Sequence, residues 1–322
     1  MQDLLALIAG KKAVVLGDMM LDSYQWGKVQ RISPEAPVPI IEINREEYRL
    51  GGAANVALNL SALGAEVFPV GIIGAGPNAK IIADLFAQSG LDPEGLVRLK
   101  DRKTTIKTRI GAANQQIVRI DIEDSSWISE DAEDEILGRL EPRIKIADLM
   151  IIEDYNKGLL TESLIRRALE LCQKHGVDVA VDPKQKNFFC YTDVDIFKPN
   201  YLELKTNLGR SFESDEDFFA AARDLQSRIR CKFLVVTRGA KGMFIFSQDQ
   251  PVKHLPSYAR EVYDVSGAGD TVISALGLAY CSGAEIDLAA SFANHAAAVV
   301  CGKLGTASAS ADEILESYRA HR

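Results

Sequence analysis

The sequence predicts an α/β protein: a mostly parallel central sheet with helices on both faces, and a small separate β-sheet acting as a lid. Three observations predict it. From residue 129 onward, short apolar runs alternate regularly with amphipathic helical stretches. Several of those runs end in a glycine or a carboxylate, on the strand edge where open parallel sheets bind ligands. Two segments, about 19–50 and 103–122, leave this rhythm for the period-2 alternation of antiparallel strands.

Taken in order, residues 2–9 read as a short amphipathic helix and 12–17 as a buried strand ending at Gly17 and Asp18. Tyr24, Trp26, the prolines Pro34, Pro37 and Pro39, and the alternation from Val38 to Ile43 then suggest antiparallel strands, with prolines at edge positions. Gly51 and Gly52 feed a helix running through Leu60, followed by a strand at 67–73 and a helix at 79–89. Residues 104–110 and 115–121 read as a hairpin that can pair with the earlier β segment. Helices at 130–141, 161–175 and 214–228 alternate with strands at 147–152, 177–182, 194–198 and 233–237. A small-residue helix from Val272 to Ala279 follows. With no repeat, low-complexity tract or linker, residues 1–322 are expected to form one domain with lid segments at about 19–50 and 103–122.

Composition excludes several classes. The net charge of −8 argues against a nucleic-acid surface, and it requires any anionic ligand to be met by cations gathered locally. The cysteines Cys172, Cys190, Cys231, Cys281 and Cys301 form no C-x-x-C pair, which indicates neither a zinc site nor a disulfide framework but core thiols in a reducing compartment. The apolar run from Leu4 to Ala9 is short and lacks a basic leader, and no run is long enough to span a membrane. A cytoplasmic protein, with neither nucleic acid nor membrane as partner, is expected.

The chemistry centres on the stretch from Val262 to Thr271, in which Gly267-Ala268-Gly269-Asp270 enters the small-residue helix. The glycines permit positive φ and close approach of a ligand to the backbone. The amides of Ala268, Gly269 and Asp270 would sit unpaired at a helix N-terminus, where anions are stabilised. A carboxylate in such a turn repels phosphate unless it has a proton to collect. Asp270 therefore fits the base toward a hydroxyl in phosphoryl transfer; the alternative is a helix N-cap.

Other segments fit around it. Asp18 is a candidate for sugar hydroxyls, or a loop cap. Gly51, Gly52 and Asn55 offer a backbone approach and an amide to a ligand. Asn200 and Glu203, three apart on one helical face, would hold Mg²⁺ through water or form a capping box. Thr237, Gly239 and Gly242 lie in a turn that would take nucleotide phosphates or be a bare turn. Asp154 with Lys157, and Asp182 with Lys184, follow strands on the ligand edge, or lie in solvated loops. Asp264 would support a monovalent cation with carbonyls of the 300–305 loop, or bond local amides.

The order of these motifs, a glycine pair with Asn55, then N-x-x-E, T-x-G-x-x-G and D-x-x-G-A-G-D, resembles the ribokinase-like (PfkB) sugar kinases across essentially the whole chain. The resemblance narrows with Gly17 to Asp22, Arg31 to Pro39, Asn114-Gln115-Gln116, Asp154-Tyr155-x-Lys157-Gly158, Asp182-Pro183-Lys184 and Gly302 to Thr306. These are similar to the kinases of that family that phosphorylate D-glycero-D-manno-heptose 7-phosphate at its anomeric oxygen. What the resemblance implies is ATP and Mg²⁺, often K⁺, a sugar-phosphate substrate, and a homodimer formed through the lids. It assigns Asp18, Gly51, Gly52, Asn55, Gln116, Asp154, Lys157 and Lys184 to the substrate and Asp270 to catalysis. Asn200, Glu203, Thr237, Gly239, Gly242 and Asn294 fall to ATP, and Asp264, Ser266 and Gly305 to a potassium ion. Some members carry a fused nucleotidylyltransferase domain with an H-x-G-H motif. None of His175, His254, His295 or His321 lies in one, so a kinase alone is expected. For the acceptor's phosphate the basic candidates are Arg109, Lys107, Lys157, Lys184 and Lys186, with Arg109 first because a guanidinium can grip phosphate bidentately. A kinase for another sugar, or a non-catalytic binding protein, are the alternatives.

Overall fold

The central strands are apolar throughout because both of their faces are covered. In the computed structural model, which describes residues 1–112, 115–248, 250–259 and 263–321, nine strands form one sheet. In spatial order they are Lys253–Leu255, Met243–Ser247, Phe233–Thr237, Ile196–Phe197, Asp178–Asp182, Leu149–Glu153, Lys12–Gly17, Glu66–Gly74 and Leu96–Leu99. All neighbours run parallel except at the Met243–Ser247 strand, which is antiparallel to both of its partners. Successive side chains go to opposite sides. Ala13 and Val15 join one core cluster with the helices Ala53–Ala62, Ala268–Cys281 and Ile286–Cys301. Val14 and Leu16 join the other, with Glu130–Ile144, Glu162–His175 and Asp215–Ile229.

From Lys12–Gly17 the chain fills one side of the sheet first and then, with Leu149–Glu153, the other. The strand order therefore reverses between Gly17 and Glu153, the position at which open α/β sheets bind their ligands. Asp18 lies on that edge.

The two irregular segments do make a second sheet. Met19–Ile32 pairs antiparallel with Pro39–Gly52 and parallel with Thr105–Ala112, which pairs antiparallel with Gln115–Ile122. Register shifts at Trp26/Gly27 and Val29/Arg31 twist its long hairpin. Among the described residues no helix is long and apolar enough to cross a membrane. All five cysteines are free thiols.

Some boundaries differ from expectation, each for a local reason. The strand expected at 194–198 shrinks to Ile196–Phe197, because Lys198 is drawn into an ion pair and Pro199 follows. The helix expected from Val272 begins at Ala268, since Gly267 at φ 77° turns the chain directly into it. The helix expected to stop at 141 continues to Ile144, with Pro142 in its last turn. Asn114 and Val262, members of two of the motifs above, lie outside the described residues.

Phe218 anchors the second core cluster. It is fully buried, with ring centroids 5.3 Å from both Tyr201 and Phe244 and 5.7 Å from Phe246. Phe218→Ala should lower the unfolding free energy by about 3–5 kcal/mol in a urea titration. A loss below about 1 kcal/mol would mean this cluster does not hold the sheet to its helices.

Candidate active site

Gly267 caps the helix Ala268–Cys281 with no side-chain bond, and a Cβ on it would stand 2.7 Å from Asn55 Nδ2. Asp270 is the third residue of that helix, so the N-cap alternative does not describe it. Its carboxylate is buried and takes one donor on each oxygen. Asn55 Nδ2 donates to Oδ2 at 2.7 Å, and the Tyr155 hydroxyl donates to Oδ1 at 2.9 Å. Burial pushes the Asp270 carboxyl above the ordinary range and Asp182 adds to the rise, while Asn55, Tyr155 and the Lys198 ammonium pull it back. Of the three amides expected to be open, that of Ala268 is taken by the Val265 carbonyl at 3.2 Å. Among the described residues nothing accepts from the amides of Gly269 or Asp270.

Asn55 is placed by the turn before it. Gly52 at φ 57° starts the helix Ala53–Ala62, and a Cβ there would collide with Met20 and the Asp18 carbonyl. A Cβ on Gly51 would meet Asp22 Oδ2 at 2.7 Å. Asn59 donates to the Asn55 carbonyl at 2.9 Å and accepts from Thr271 Oγ1 at 2.9 Å, which locks the two helices in register.

The floor of the crevice is acidic. Asp18 Oδ2 accepts the amides of Tyr155 at 2.9 Å and Lys157 at 3.1 Å, whereas its buried Oδ1 has no partner among the described residues. Burial and the nearby Asp154 push the Asp18 carboxyl up to about 6 against the pull of those amides. Glu153 is fully buried with both oxygens unpartnered among the described residues. Burial, Asp182 and Asp270 push its carboxyl well above the ordinary range. Asp182 pairs with buried Lys198 at 2.7 Å. Asp154 is turned into its own loop, accepting from the Asn156 amide at 2.7 Å and the Tyr191 hydroxyl at 2.6 Å.

On the other side, Thr237, Gly239, Gly242, Gly269 and Asn294 line one largely apolar cavity of about 390 Å³. Asn294 donates to the Pro256 carbonyl at 2.7 Å. Asn200 and Glu203 form a complete capping box, with both reciprocal bonds at 2.8 Å, and the Lys184 ammonium pairs with the free Glu203 oxygen. Lys184 also lies 5.4 Å from the centre of the Tyr155 ring. Asp264 accepts the amides of Ser266 at 2.9 Å and Gly305 at 3.0 Å. The carbonyls flanking Gly305, those of Leu304 and Thr306, go to the Arg49 guanidinium of the lid at 2.7 and 2.9 Å.

The lid brings the remaining cations to the mouth. Arg109 is paired with Asp22 at 2.6 Å and stacks on Tyr24, and Lys157 is paired with Glu123 at 2.6 Å. Lys107 lies 4.8 Å from the centre of the Tyr155 ring and has no carboxylate partner among the described residues. Burial pushes its ammonium below the usual lysine value, an effect that Asp22 offsets and that Lys157 and Arg109 reinforce. Gln116 sits on the exposed strand Gln115–Ile122, opposite Gly111, and Lys186 stacks on Trp127. Tyr155, Glu153 and Lys198 belong to the cluster although none was singled out as a site residue. Tyr155 carried a signal, since it lies inside the quoted Asp154-Tyr155-x-Lys157-Gly158 motif.

A buried carboxylate beside open helix-terminal amides, next to an apolar cavity edged with glycines, is an arrangement suited to phosphoryl transfer. The model of the pfkB family carbohydrate kinases matches residues 11–313, and the chain belongs to that family. It is an ATP-dependent carbohydrate kinase. Among curated proteins it is 40% identical over 98% of its length to the bifunctional protein HldE of Geobacter sulfurreducens, and 39% identical over 94% to that of Wolinella succinogenes. It spans 64% of the length of each of those relatives. Among solved structures, Arabidopsis thaliana ribokinase complexed with ribose and ATP superposes with a TM-score of 0.77 at 20% identity, covering 96% of this chain and 98% of that one. Escherichia coli phosphofructokinase-2 in complex with potassium gives 0.80 at 20% identity, covering 97% and 99%. The ribokinase-like fold expected from the sequence is the fold observed.

Asp18 also makes a prediction for stability. Its folded value of about 6 lies above the ordinary 3.8, so its ionisation costs the native state more than the unfolded chain. That cost is absent below the unfolded value and complete above the folded one, where it reaches about 3 kcal/mol. Asp18→Asn should therefore resist denaturant better than the parent at pH 7.5, with the gap closing toward pH 4. A variant less stable at pH 7.5 would show that the Asp18 charge is not borne at the expense of stability.

Proposed function

We propose that this kinase transfers the γ-phosphoryl group of ATP to the anomeric hydroxyl of D-glycero-D-manno-heptose 7-phosphate. The product would be the 1,7-bisphosphate used for ADP-heptose and lipopolysaccharide core synthesis. The observation that carries the reading is Lys107: a half-buried ammonium at the acceptor side, without a carboxylate of its own, on a chain of net charge −8. Such a cation needs an anion, and a phosphate on the acceptor supplies one. Arg109 and Lys157 flank it, each already neutralised, and Lys107 replaces Arg109 as the first choice for this contact. The motif set shared with heptose 7-phosphate kinases and the similarity to HldE proteins support the same substrate.

In the reaction, the acceptor hydroxyl gives its proton to the Asp270 carboxylate as its oxygen bonds to the γ-phosphorus. The bond from that phosphorus to the β–γ bridging oxygen breaks, and ADP leaves with the electron pair. The amides of Gly269 and Asp270, at the positive end of their helix, stabilise the charge on the phosphoryl oxygens. Asp18, through its unpartnered oxygen, accepts from sugar hydroxyls and fixes the ring. The nucleotide lies in the cavity edged by Thr237, Gly239, Gly242 and Asn294. Both oxygens of Glu203 already hold one donor each, and the remaining lone pairs can accept from metal-bound water. Mg²⁺ held that way by Glu203 and Asn200 would neutralise phosphate charge, alongside Lys184. A monovalent cation would share Asp264, Ser266 and Gly305 with the amide bonds already there.

Asp270→Asn should leave ATP affinity by calorimetry unchanged and lower kcat by roughly 10²–10⁴-fold. Near-normal turnover would remove Asp270 from the role of base. Lys107→Met should lower kcat/KM on heptose 7-phosphate by about tenfold to a hundredfold and spare unphosphorylated heptose. Equal losses on both would make Lys107 a lid residue only, and faster turnover of ribose or fructose would sink the substrate itself.

The same reading includes a homodimer through the lids. The strand Gln115–Ile122 is exposed along its length and shows Ile117, Val118, Ile120 and Ile122 to solvent, and Val29, Ile32 and Ile43 are exposed on the hairpin strands at the other side of the same sheet. Edge strands this apolar are covered in working proteins, and a second copy of the same sheet is the simplest cover. Light scattering at micromolar concentration should give twice the chain mass; a monomer there contradicts the dimer.

A further inference from the structure

Tyr155 joins two of the carboxylates and two of the lysines of the site. Its amide donates to Asp18 Oδ2 at 2.9 Å and its hydroxyl to Asp270 Oδ1 at 2.9 Å. Its ring carries Lys107 at 4.8 Å and Lys184 at 5.4 Å. We propose that Tyr155 is a positioning residue for the base: with Asn55 it fixes the Asp270 carboxylate by one oxygen each, leaving the remaining lone pairs directed at the acceptor's hydroxyl. The inference rests on Asp270 acting as the base.

The physical argument is one of crowding. Asp270 shares its surroundings with two further carboxylates, Glu153 and Asp182, at the ends of adjoining strands, and with Lys198, which is already paired to Asp182. Lys184 is committed to Glu203, and Lys107 lies against the tyrosine ring without an ion pair to Asp270. Neutral donors must therefore do what a free cation would otherwise do, and the Tyr155 and Asn55 bonds are the two that do it. Burial and the neighbouring Asp270, Glu153 and Asp182 push the Tyr155 hydroxyl well above its ordinary value, so it remains a donor throughout the working pH range. A carboxylate has about four lone-pair positions, and two donors leave room for a substrate hydroxyl without displacing either.

Removing the Tyr155 hydroxyl removes a bond made to the charged form of Asp270, so the pH below which the base is protonated must rise. The test is kcat against pH from 5 to 9 for Tyr155→Phe, at saturating ATP and acceptor, with Asp270→Asn in parallel. The expected result is an acid limb moved up by about one pH unit, with ATP affinity and acceptor KM within about twofold of the parent. A profile that superimposes on the parent's, or a uniform loss at every pH with acceptor KM rising in step, overturns the proposal. Should Tyr155→Phe fail to fold, the parent chain made with 3-fluorotyrosine, a stronger donor, must show the same limb moved to lower pH; no movement overturns it. If Asp270→Asn itself retains turnover, the assignment of the base fails. If it loses turnover while Tyr155→Phe keeps the parent's profile, only the role of Tyr155 fails.

Discussion

The site depends on keeping a carboxylate charged where little water reaches it. Asp270 is buried among other acids, and its ionisation is held by contacts from three separate parts of the chain: Asn55 from the first helix after the lid hairpin, Tyr155 from a strand end, and the start of its own helix. Each contact is available only because something else is fixed. Asn55 needs the left-handed Gly52 turn, Tyr155 needs Asp18 to receive its amide, and the helix needs Gly267. The reversal of strand order beside Lys12–Gly17 is what lets segments so far apart in sequence meet at one point.

Charge is arranged around this point in layers. Beneath it, Glu153 and the Asp182–Lys198 pair lie fully buried, and such groups are stabilised poorly unless something approaches them. Above it, the lid contributes Lys107 and Arg109, and Lys184 meets Glu203. The lid also reaches the loop beyond Asp264 through Arg49, which bonds the carbonyls of Leu304 and Thr306, while Tyr24 accepts from the Thr306 amide. The second sheet therefore grips the same loop whose Gly305 amide bonds Asp264.

Much of this was legible in the sequence, because glycines and strand-end carboxylates mark where backbone and ligand come close. The alternation of strands and helices, the two-part lid sheet and the Gly267–Asp270 turn all follow from local pattern. Which side chains meet over long separations was not legible. Arg109 has the right chemistry for phosphate, but its partner Asp22 lies 87 residues away and only the parallel pairing of their strands joins them. Asp154 looks like a ligand-edge carboxylate, yet Tyr191, in a later loop, turns it inward. Glu153 and Lys198 end apolar strands and read as ordinary boundaries; burial alone makes them part of the site. Asn200 and Glu203 fitted both a metal and a capping box by spacing, and the observed bonds complete the box.

The central claim is that Asp270 faces the hydroxyl to be phosphorylated. A crystal structure with heptose 7-phosphate and a non-hydrolysable ATP analogue measures this directly. The account predicts the anomeric oxygen within about 2.6–3.2 Å of an Asp270 carboxylate oxygen, and the sugar phosphate against Lys107. An anomeric oxygen held away from Asp270, with the sugar phosphate far from Lys107, would contradict it.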